Sequence, residues 1–182
     1  YHFNAIALNH KGLKNLFEII SLANTVYLYK TPRILRSKLN ELREGLLIGS
    51  CCANGEIFRL ARSKSEEEVS NLMNFYDFIE VQSPEVYSYL VDLSDFKNMD
   101  EVKDNINKII KVANQSDKEL TFEIGSNSDL ILENTITHNL EWTIENFNAD
   151  KGYLTFPTKF DMVDPLLNLR NKEKIIIRMS MN

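Results

Sequence analysis

Short apolar runs alternate along this chain with longer stretches in which apolar residues recur every three or four positions. The runs at 2–9, 45–50 and 77–82 are typical of strands, because they are short and bounded by polar residues. The stretches between them predict amphipathic helices. Strands and helices in alternation favour an α/β fold.

Two helices carry clear start signals. Ser65 and Glu68 form a Ser-x-x-Glu capping box, which predicts a helix that runs to about Phe75. Asn98 precedes a second helix, at 99–113, whose apolar face holds Val102, Ile106, Ile109, Ile110 and Ala113. A third helix is predicted over 12–24, with an apolar face made of Leu13, Leu16, Phe17, Ile20 and Ala23. Each apolar face is expected to be the buried one.

The polar, aperiodic stretch 115–119 marks a change in composition. Beyond it the pattern predicts a strand at 120–124, a helix around 139–146, a strand at 153–156, a helix at 161–169 and a strand at 174–180. We expect helix 99–113 to lead into strand 120–124. That strand should join 45–50 and 77–82 in one sheet, parallel to its predecessor. The alternative is two independent lobes, with 115–119 as an exposed linker.

The composition is that of a globular protein, with 43% hydrophobic and 26% charged residues. The net charge is −5, and residues 1–118 carry 15 Lys and Arg against 16 Asp and Glu, whereas 119–182 carry 6 against 10. Neither part is basic enough to bind nucleic acid by bulk charge. No apolar run approaches the roughly 20 residues that span a bilayer. The first residues show no signal-peptide pattern, and the absence of a starting Met suggests a fragment.

The two cysteines, Cys51 and Cys52, are adjacent. Neighbouring cysteines rarely pair with each other, because the geometry of a disulfide is hard to meet there. Their presence as thiols predicts a reducing, cytoplasmic setting.

Three long motifs in the first part follow one another in the order and spacing of a known family. They are GLKNLFEIISLAN at 12–24, YKTPRILRSKLNELREGLLIGSCCANGEIF at 29–58 and NFYDFIEVQSPEVYSYL at 74–90. On these motifs residues 1–118 resemble the PHP (polymerase and histidinol phosphatase) region of the PolC-type DNA polymerase III alpha subunit. The resemblance implies a distorted β/α-barrel, divalent metals held by His, Asp, Glu and Cys, and a role in bacterial DNA replication. The polymerase palm lies elsewhere in the parent.

The resemblance assigns one metal ligand in this chain, Cys52, in the family's Gly-Ser-x-Cys-x-x-Gly-Glu motif. A thiolate just after a buried strand would suit zinc. The family's other ligands lie on His-x-His and Asp/Asn-x-His motifs, which this sequence lacks, so Cys52 is isolated and weak or absent binding is expected. The alternative is a small buried thiol. Glu56 is interpreted as a helix N-terminal carboxylate, and His2 and His10 as incidental.

One segment of the first part mixes aromatic and cationic side chains, namely Tyr27, Tyr29, Lys30, Arg33, Arg36, Lys38 and Arg43. Such a mixture can follow a nucleic-acid backbone. The alternative is a solvated surface loop and helix.

The last part of the chain carries motifs of a second family. They are TFEIGSNSDL at 121–130, GYLTFPTKFDMVDPLL at 152–167 and IIIRMSMN at 175–182. On these motifs residues 120–182 resemble spore photoproduct lyase, a radical S-adenosylmethionine (SAM) enzyme of DNA repair. The resemblance implies SAM-contacting positions at Ser128, Lys159 and Ser180, whose hydroxyls and ammonium can hold a carboxylate.

The chemistry of that second family depends on groups that this sequence lacks. The parent holds an iron–sulfur cluster on a Cys-x3-Cys-x2-Cys loop upstream, and polymerase-like sequence stands there instead. Ser126 occupies a position where some members carry a hydrogen-donating Cys. The alternatives are a polar turn with a helix cap at 126–129, a plain surface lysine at Lys159 and an exposed helical residue at His138.

The sequence therefore predicts two joined pieces of incomplete β/α-barrels, 1–118 and 119–182, within an α/β fold. We expect a fragment of a PolC-type polymerase, with DNA as a partner by resemblance, no membrane span, no bound cofactor and no complete catalysis. The alternatives are a fragment of a radical SAM repair lyase and a chimera without a task. Oligomeric state stays open.

Overall fold

A computed structural model describes residues 1–125, 129–147, 150 and 152–179. One sheet of six strands runs through them, and the strands lie side by side in chain order. The strands are β1 (Asn4–Ala7), β2 (Leu46–Gly49), β3 (Phe78–Gln82), β4 (Glu119–Glu123), β5 (Tyr153–Thr158) and β6 (Ile175–Met179). β1 is antiparallel to β2, and every later neighbour is parallel.

Helices separate the strands. They are α1 (His10–Asn24), α2 (Arg36–Glu41), α3 (Glu56–Ala61), α4 (Glu66–Met73), α5 (Tyr89–Asp92), α6 (Met99–Gln115), α7 (Leu130–Thr137) and α8 (Asn139–Asn146). Single 3-10 turns cover Pro84–Tyr87, Asp164–Asn168 and Lys172–Lys174. Parallel strands in chain order with helical crossovers are the arrangement of a β/α-barrel, so the predicted α/β class and incomplete barrel are confirmed.

The sheet has an apolar helix-covered face and a polar inner face. Because side chains alternate along a strand, Ile79 and Val81 of β3 point into the apolar core, and Glu80 points to the other face. The inner face is curled, since Asn4 of the first strand and Arg178 of the last strand both approach Glu80. The result is an open half-barrel, in which the described strands leave β1 and β6 unpaired with each other.

The predicted join between the two sequence parts is confirmed. α6 leads directly into β4, and β4 pairs in parallel with β3 from Phe78↔Glu119 to Gln82↔Glu123. The stretch 115–119 is therefore no linker between separate lobes, because it ends inside the sheet. The boundary at residue 118 stays a prediction about the origin of the sequence.

Two apolar clusters lie on the helix side of the sheet. The first is large and extends from Ile19 on α1 to Leu120 on β4. The second comprises the buried residues Ile131, Leu140, Ile144, Leu154, Phe156 and Leu166. Phe122 packs against both, so β4 joins the two clusters.

The predicted buried face of the first helix is wrong at three of its five positions, while Leu16 and Ala23 are half-buried. α1 buries Gly12, Asn15 and Ile19, whereas Leu13, Phe17 and Ile20 are exposed. The backbone of Gly12 packs directly against Gly45, and a Cβ on Gly12 would lie only 1.8 Å from the Gly45 carbonyl oxygen. This close approach rotates the helix about its axis. Asn15 Nδ2 also donates to the carbonyl of Glu44 (2.8 Å). A close backbone contact therefore decides which stripe of α1 faces the core.

Of the other helix predictions, some are confirmed and some are wrong. The capping box is present, with Ser65 and Glu68 each bonded to the other's backbone N–H, and α6 buries the expected positions except Ile110, which is half-buried. The helix expected at 161–169 is instead a 3-10 turn, where Pro165 removes one backbone donor. α7 was not predicted. None of the helices in the described ranges combines the length and apolar character that crossing a membrane requires.

Candidate functional site

The loop after β2 lies where the parallel strands end, which is here called the open end of the half-barrel, and backbone hydrogen bonds hold it tightly. Ser50 N–H donates to the carbonyl of Phe78 (3.2 Å), and Ser50 Oγ accepts from the backbone of Glu80 (3.0 Å). Gly55 N–H then closes a turn onto the Cys52 carbonyl (2.7 Å). Only glycine fits at position 55, since a Cβ there would lie 2.0 Å from the backbone carbonyl oxygen of Ser50. Hydrogen bonds at Ser50 and at Gly55 therefore hold the loop on either side of the two cysteines.

Cys51 adopts a left-handed backbone conformation, with φ of 61°. This conformation is uncommon for residues other than glycine, asparagine and aspartate, and it persists only where the surroundings impose it. It also ends the alternation of side chains that a strand would continue. Both thiols consequently lie on the same side of the loop, within 4.8 Å of each other.

His2 completes a cluster of three donor atoms with these thiols. Its backbone N–H donates to the carbonyl of Asn54 (2.9 Å), and it forms a bridge with Gly55. Its Nδ1 lies 4.0 Å from Cys52 Sγ. Because β1 runs antiparallel to β2, the start of the chain reaches the end of β2. Two thiols and an imidazole are ligands that zinc accepts.

The two thiols differ in their affinity for a proton. A hydrogen bond from the Cys51 thiol lowers the pKa of Cys52 to about 5, with smaller contributions from the Asn54 backbone and His2, against the effect of burial. The same bond raises the pKa of Cys51. Cys52 is therefore the more acidic thiol of the pair, and the thiolate is the form that binds metals.

A second polar cluster lies on the inner face of the sheet, beside the first. Glu80 and Glu123 are both buried, at 6% exposure each. Asn4 Nδ2 donates to Glu80 Oε2 (2.6 Å), and Gln82 Nε2 donates to Glu123 Oε2 (2.6 Å). Arg178 forms an ion pair with Glu123 Oε1 and lies 3.9 Å from Glu80 Oε2. Burial, a hydrogen bond to Glu123 and its charge raise the pKa of Glu80 to about 8.

A cavity of about 140 Å³ opens next to this cluster. Its polar lining comprises Asn4, Glu80, Thr121, Thr155 and Arg178. Phe78 forms one wall, and its ring lies over Gly49, where a Cβ would be only 2.2 Å away. The missing side chain at position 49 therefore lets an aromatic ring cover this part of the inner face.

The structure places some of the predicted site residues and leaves others outside the described ranges. Cys52 lies in the donor cluster, and two further donors accompany it. Lys159 is exposed, and its backbone N–H donates to Asp129 Oδ2 (2.9 Å). Ser126, Ser128 and Ser180 lie outside the described residues. The roles of Cys52, Lys159, Ser128 and Ser180 stay predictions.

Three predictions about neighbouring residues can be compared with the structure. Asp129 caps α7, accepting from the N–H groups of Ile131 and Leu132. Glu56 occupies the first turn of α3 as expected, and it also pairs with Arg36 and accepts from the Tyr76 hydroxyl. His138 is exposed as expected, but it lies between α7 and α8 in a left-handed conformation and pairs with Glu141.

Sequence reasoning missed His2 and the pair Glu80–Glu123 as site residues. No local signal marks them, because each lies in an ordinary strand pattern. His2 reaches Cys52 only through the antiparallel pairing of β1. Glu80 and Glu123 come together only because β3 and β4 are neighbours in parallel register.

The aromatic and cationic segment is largely paired within the chain. Arg36 pairs with Glu56, Lys38 with Glu41, and Arg43 with Asp77. Arg33 stacks on the exposed ring of Tyr29. Cations that already have carboxylate partners release little free energy on meeting phosphates, so this geometry favours the interpretation of a solvated surface.

The fold and the donor cluster define a half-barrel α/β protein with a candidate metal centre at its open end. The family model described as "PHP domain" matches residues 1–124, and the chain belongs to this family. The model described as "Spore photoproduct lyase" matches residues 89–182, so the chain belongs to that family as well. The two matches overlap at 89–124, around α6 and β4.

Several curated relatives of this chain carry the name DNA polymerase III PolC-type. The protein of Bacillus subtilis is 49% identical over 112 residues, which are 60% of this chain and 8% of the relative. The protein of Lacticaseibacillus paracasei is 44% identical over 117 residues, or 64% and 8%. That of Staphylococcus aureus is 47% identical over 91 residues, or 50% and 6%. The chain thus spans less than a tenth of these relatives.

The residues present fit the metal of the first family in part and do not fit the cluster of the second. His2, Cys51 and Cys52 supply three donors, which leaves one position of a tetrahedral ion for water or substrate. An iron–sulfur cluster needs three or four spaced thiolates, whereas this sequence has two cysteines, and they are adjacent.

Proposed function

We propose that this chain acts in bacterial DNA replication as the PHP region of a PolC-type polymerase and carries no complete catalysis by itself. The observation that supports this most strongly is the donor cluster His2–Cys51–Cys52 at the open end of a PHP-type half-barrel. DNA contact would come through the polymerase to which such a region belongs, and the setting would be the cytoplasm.

The three donors have separate tasks in this proposal. Cys52, as a thiolate, would be the principal ligand, and His2 would add a neutral nitrogen from the opposite side. Cys51 would become a ligand on losing its proton. A divalent ion there would polarise a bound water or phosphoryl oxygen. Three donors, two of them from adjacent residues, hold an ion less firmly than a closed four-ligand site.

Zinc competition tests the metal part of the proposal. The full chain is titrated against a chromophoric zinc chelator, under reducing conditions. We expect weak binding that Cys52→Ser abolishes and that His10→Gln, a change at an exposed histidine on α1, leaves unaltered. Affinity typical of a closed structural site, or retention of binding in Cys52→Ser, would contradict it.

Primer extension tests the catalytic part. The sequence lacks the palm carboxylates that hold two metal ions for phosphoryl transfer. We expect no template-dependent extension by the purified chain above a mock preparation, in Mg²⁺ or Mn²⁺. Extension that tracks with the chain through two chromatographic steps would refute the proposed lack of polymerase catalysis.

A repair lyase fragment is the second candidate function, because the spore photoproduct lyase model matches residues 89–182. Anaerobic reconstitution with iron and sulfide distinguishes it. We expect no stoichiometric iron and no broad charge-transfer absorption, since the thiolates for a cluster are missing. Stoichiometric iron with that absorption would favour the lyase.

A further inference from the structure

We propose that Asn4, Glu80, Glu123 and Arg178 form a pH-sensitive latch that holds the two edges of the half-barrel together. Strands β1 and β3 supply Asn4 and Glu80, and strands β4 and β6 supply Glu123 and Arg178. The latch sets the curvature of the sheet and does not depend on the function proposed above.

The geometry brings both edge strands to one carboxylate oxygen. Asn4 Nδ2, from β1, donates to Glu80 Oε2 (2.6 Å), and a terminal nitrogen of Arg178, from β6, lies 3.9 Å from the same oxygen. The other terminal nitrogen of Arg178 pairs with Glu123. Four of the six strands are thus connected through side chains on the inner face, in addition to the backbone ladder.

The cluster contains two buried carboxyl groups and one guanidinium. If both carboxyl groups were ionised, one negative charge would stay uncompensated in a buried position, which is costly. Two carboxyl groups in contact avoid this by sharing one proton. The pKa of Glu80, raised to about 8 by burial and by the hydrogen bond and charge of Glu123, agrees with a shared proton at neutral pH.

The potentially anionic groups that face Glu80 from other elements oppose its ionisation. Cys52 and Cys51, in the loop after β2, and Tyr87, in the turn after β3, all interact with it electrostatically as potential anions. Arg178 is the cation that lowers the pKa of Glu80, and Glu123 already engages it. Opening the latch exposes Glu80 to water, where it ionises at its ordinary pKa near 4.5.

The sign of the pH effect follows from this difference. The closed latch binds a proton that the open latch releases between about pH 4.5 and about pH 8. Opening of the edges therefore becomes more favourable as the pH rises through that window, by up to about tenfold per pH unit, and levels off above it. The latch is tight in acid and loosens toward alkaline pH.

Native-state hydrogen exchange of the full chain between pH 5.5 and 8.5 tests the latch. The opening constant of amides in β1 and β6 is obtained after division by the intrinsic exchange rate. We expect it to rise with pH in the wild type and to stay flat in Glu80→Gln, whose amide mimics the protonated acid. Glu133→Gln, an exposed change on α7, should keep the wild-type rise.

A flat opening constant in the wild type, or a rise that persists in Glu80→Gln, would overturn the proposal. If Glu80→Gln fails to fold, Glu123→Gln replaces it. That variant frees Arg178 to neutralise Glu80, so the pKa of Glu80 should fall and the pH dependence should leave the measured window. A rise equal to that of the wild type in Glu123→Gln contradicts the shared proton.

Discussion

One sheet carries two apolar cores of different size. The first is built from seven of the helices and turns between β1 and β4, and it includes large side chains without solvent contact such as Ile57, Met73 and Tyr87. Among the described residues the second core has six buried members, which lie on α7, α8, β5 and the 3-10 turn Asp164–Asn168. The C-terminal core therefore depends on the strand ladder at β4, whereas the N-terminal core is held mainly by its own helices.

The largest expected effect comes from emptying the smaller core. Phe156→Ala should cost about 3–5 kcal/mol, because a fully buried aromatic ring leaves a cavity that few neighbours can fill. Hydrogen exchange should then show β5 and β6 unprotected while α4 and α6 keep their protection. Met73→Ala, in the larger core, should lower protection everywhere. Equal loss in both regions for Phe156→Ala would remove the distinction between the cores.

Two glycines give a smaller, paired test of backbone contacts. Gly152 has a φ of 136°, and a Cβ there would lie 2.1 Å from the Leu120 carbonyl, so Gly152→Ala should destabilise the C-terminal part by about 1–3 kcal/mol. Gly12→Ala should destabilise the N-terminal part by a similar amount, because its Cβ would lie 1.8 Å from the Gly45 carbonyl oxygen and the better helix propensity of alanine offsets only about 1 kcal/mol. Urea denaturation measures both. Ser21→Ala, at an exposed site on α1, is the control and should change stability by less than about 0.5 kcal/mol.

The smallest expected difference in stability is between variants of two helix caps, one in each part of the molecule. Ser65→Ala removes one local cap and should cost about 1 kcal/mol. Asp129→Ala should cost more, up to about 2 kcal/mol, since Asp129 also accepts from Thr158 Oγ1 and Lys159 N–H and so ties α7 to β5. Thermal melts of both variants measure the difference. A smaller loss for Asp129→Ala than for Ser65→Ala would contradict the tie to β5.

The two caps also differ in their pH dependence, because Asp129 carries an ionisable carboxyl group and Ser65 does not. Burial opposes ionisation of Asp129, but hydrogen bonds from Lys159 and Thr158 outweigh it and hold the pKa below its ordinary value. The stability that this carboxylate contributes is present above its unfolded pKa and is lost as the pH falls through its lower folded pKa. Melts in acid should therefore converge for the wild type and Asp129→Ala.

The alternation of strands and helices and the join were predictable from sequence because they rest on short-range patterns. Alternation at 119–123 and the capping signal at Ser65 are written in neighbouring residues, and the parallel placement of β4 follows from the handedness of helical crossovers. α7 was missed because β-branched Ile131, Thr135 and Ile136 weaken its helical signal. Its strongest support, the contacts of Asp129 with β5, is tertiary.

The candidate site was predictable only at Cys52. His2 joins that thiol through pairing of strands more than forty positions apart in the chain, and the Glu80–Glu123 contact needs the register of two strands. The buried stripe of α1 depends on the approach of Gly12 to Gly45, which no periodicity of apolar residues reveals. Sequence reasoning therefore found the elements and missed the contacts between them.

Hydrogen exchange across the join tests the central claim, a single half-barrel sheet that continues from β3 into β4, most directly. The amides of Ile79–Gln82 and Leu120–Glu123 should show comparable protection in the full chain, because each strand hydrogen-bonds the other in register. A protease cut at 115–119 should then abolish protection in both. Protected β3 amides beside freely exchanging β4 amides, or two separately protected pieces after the cut, would contradict the account.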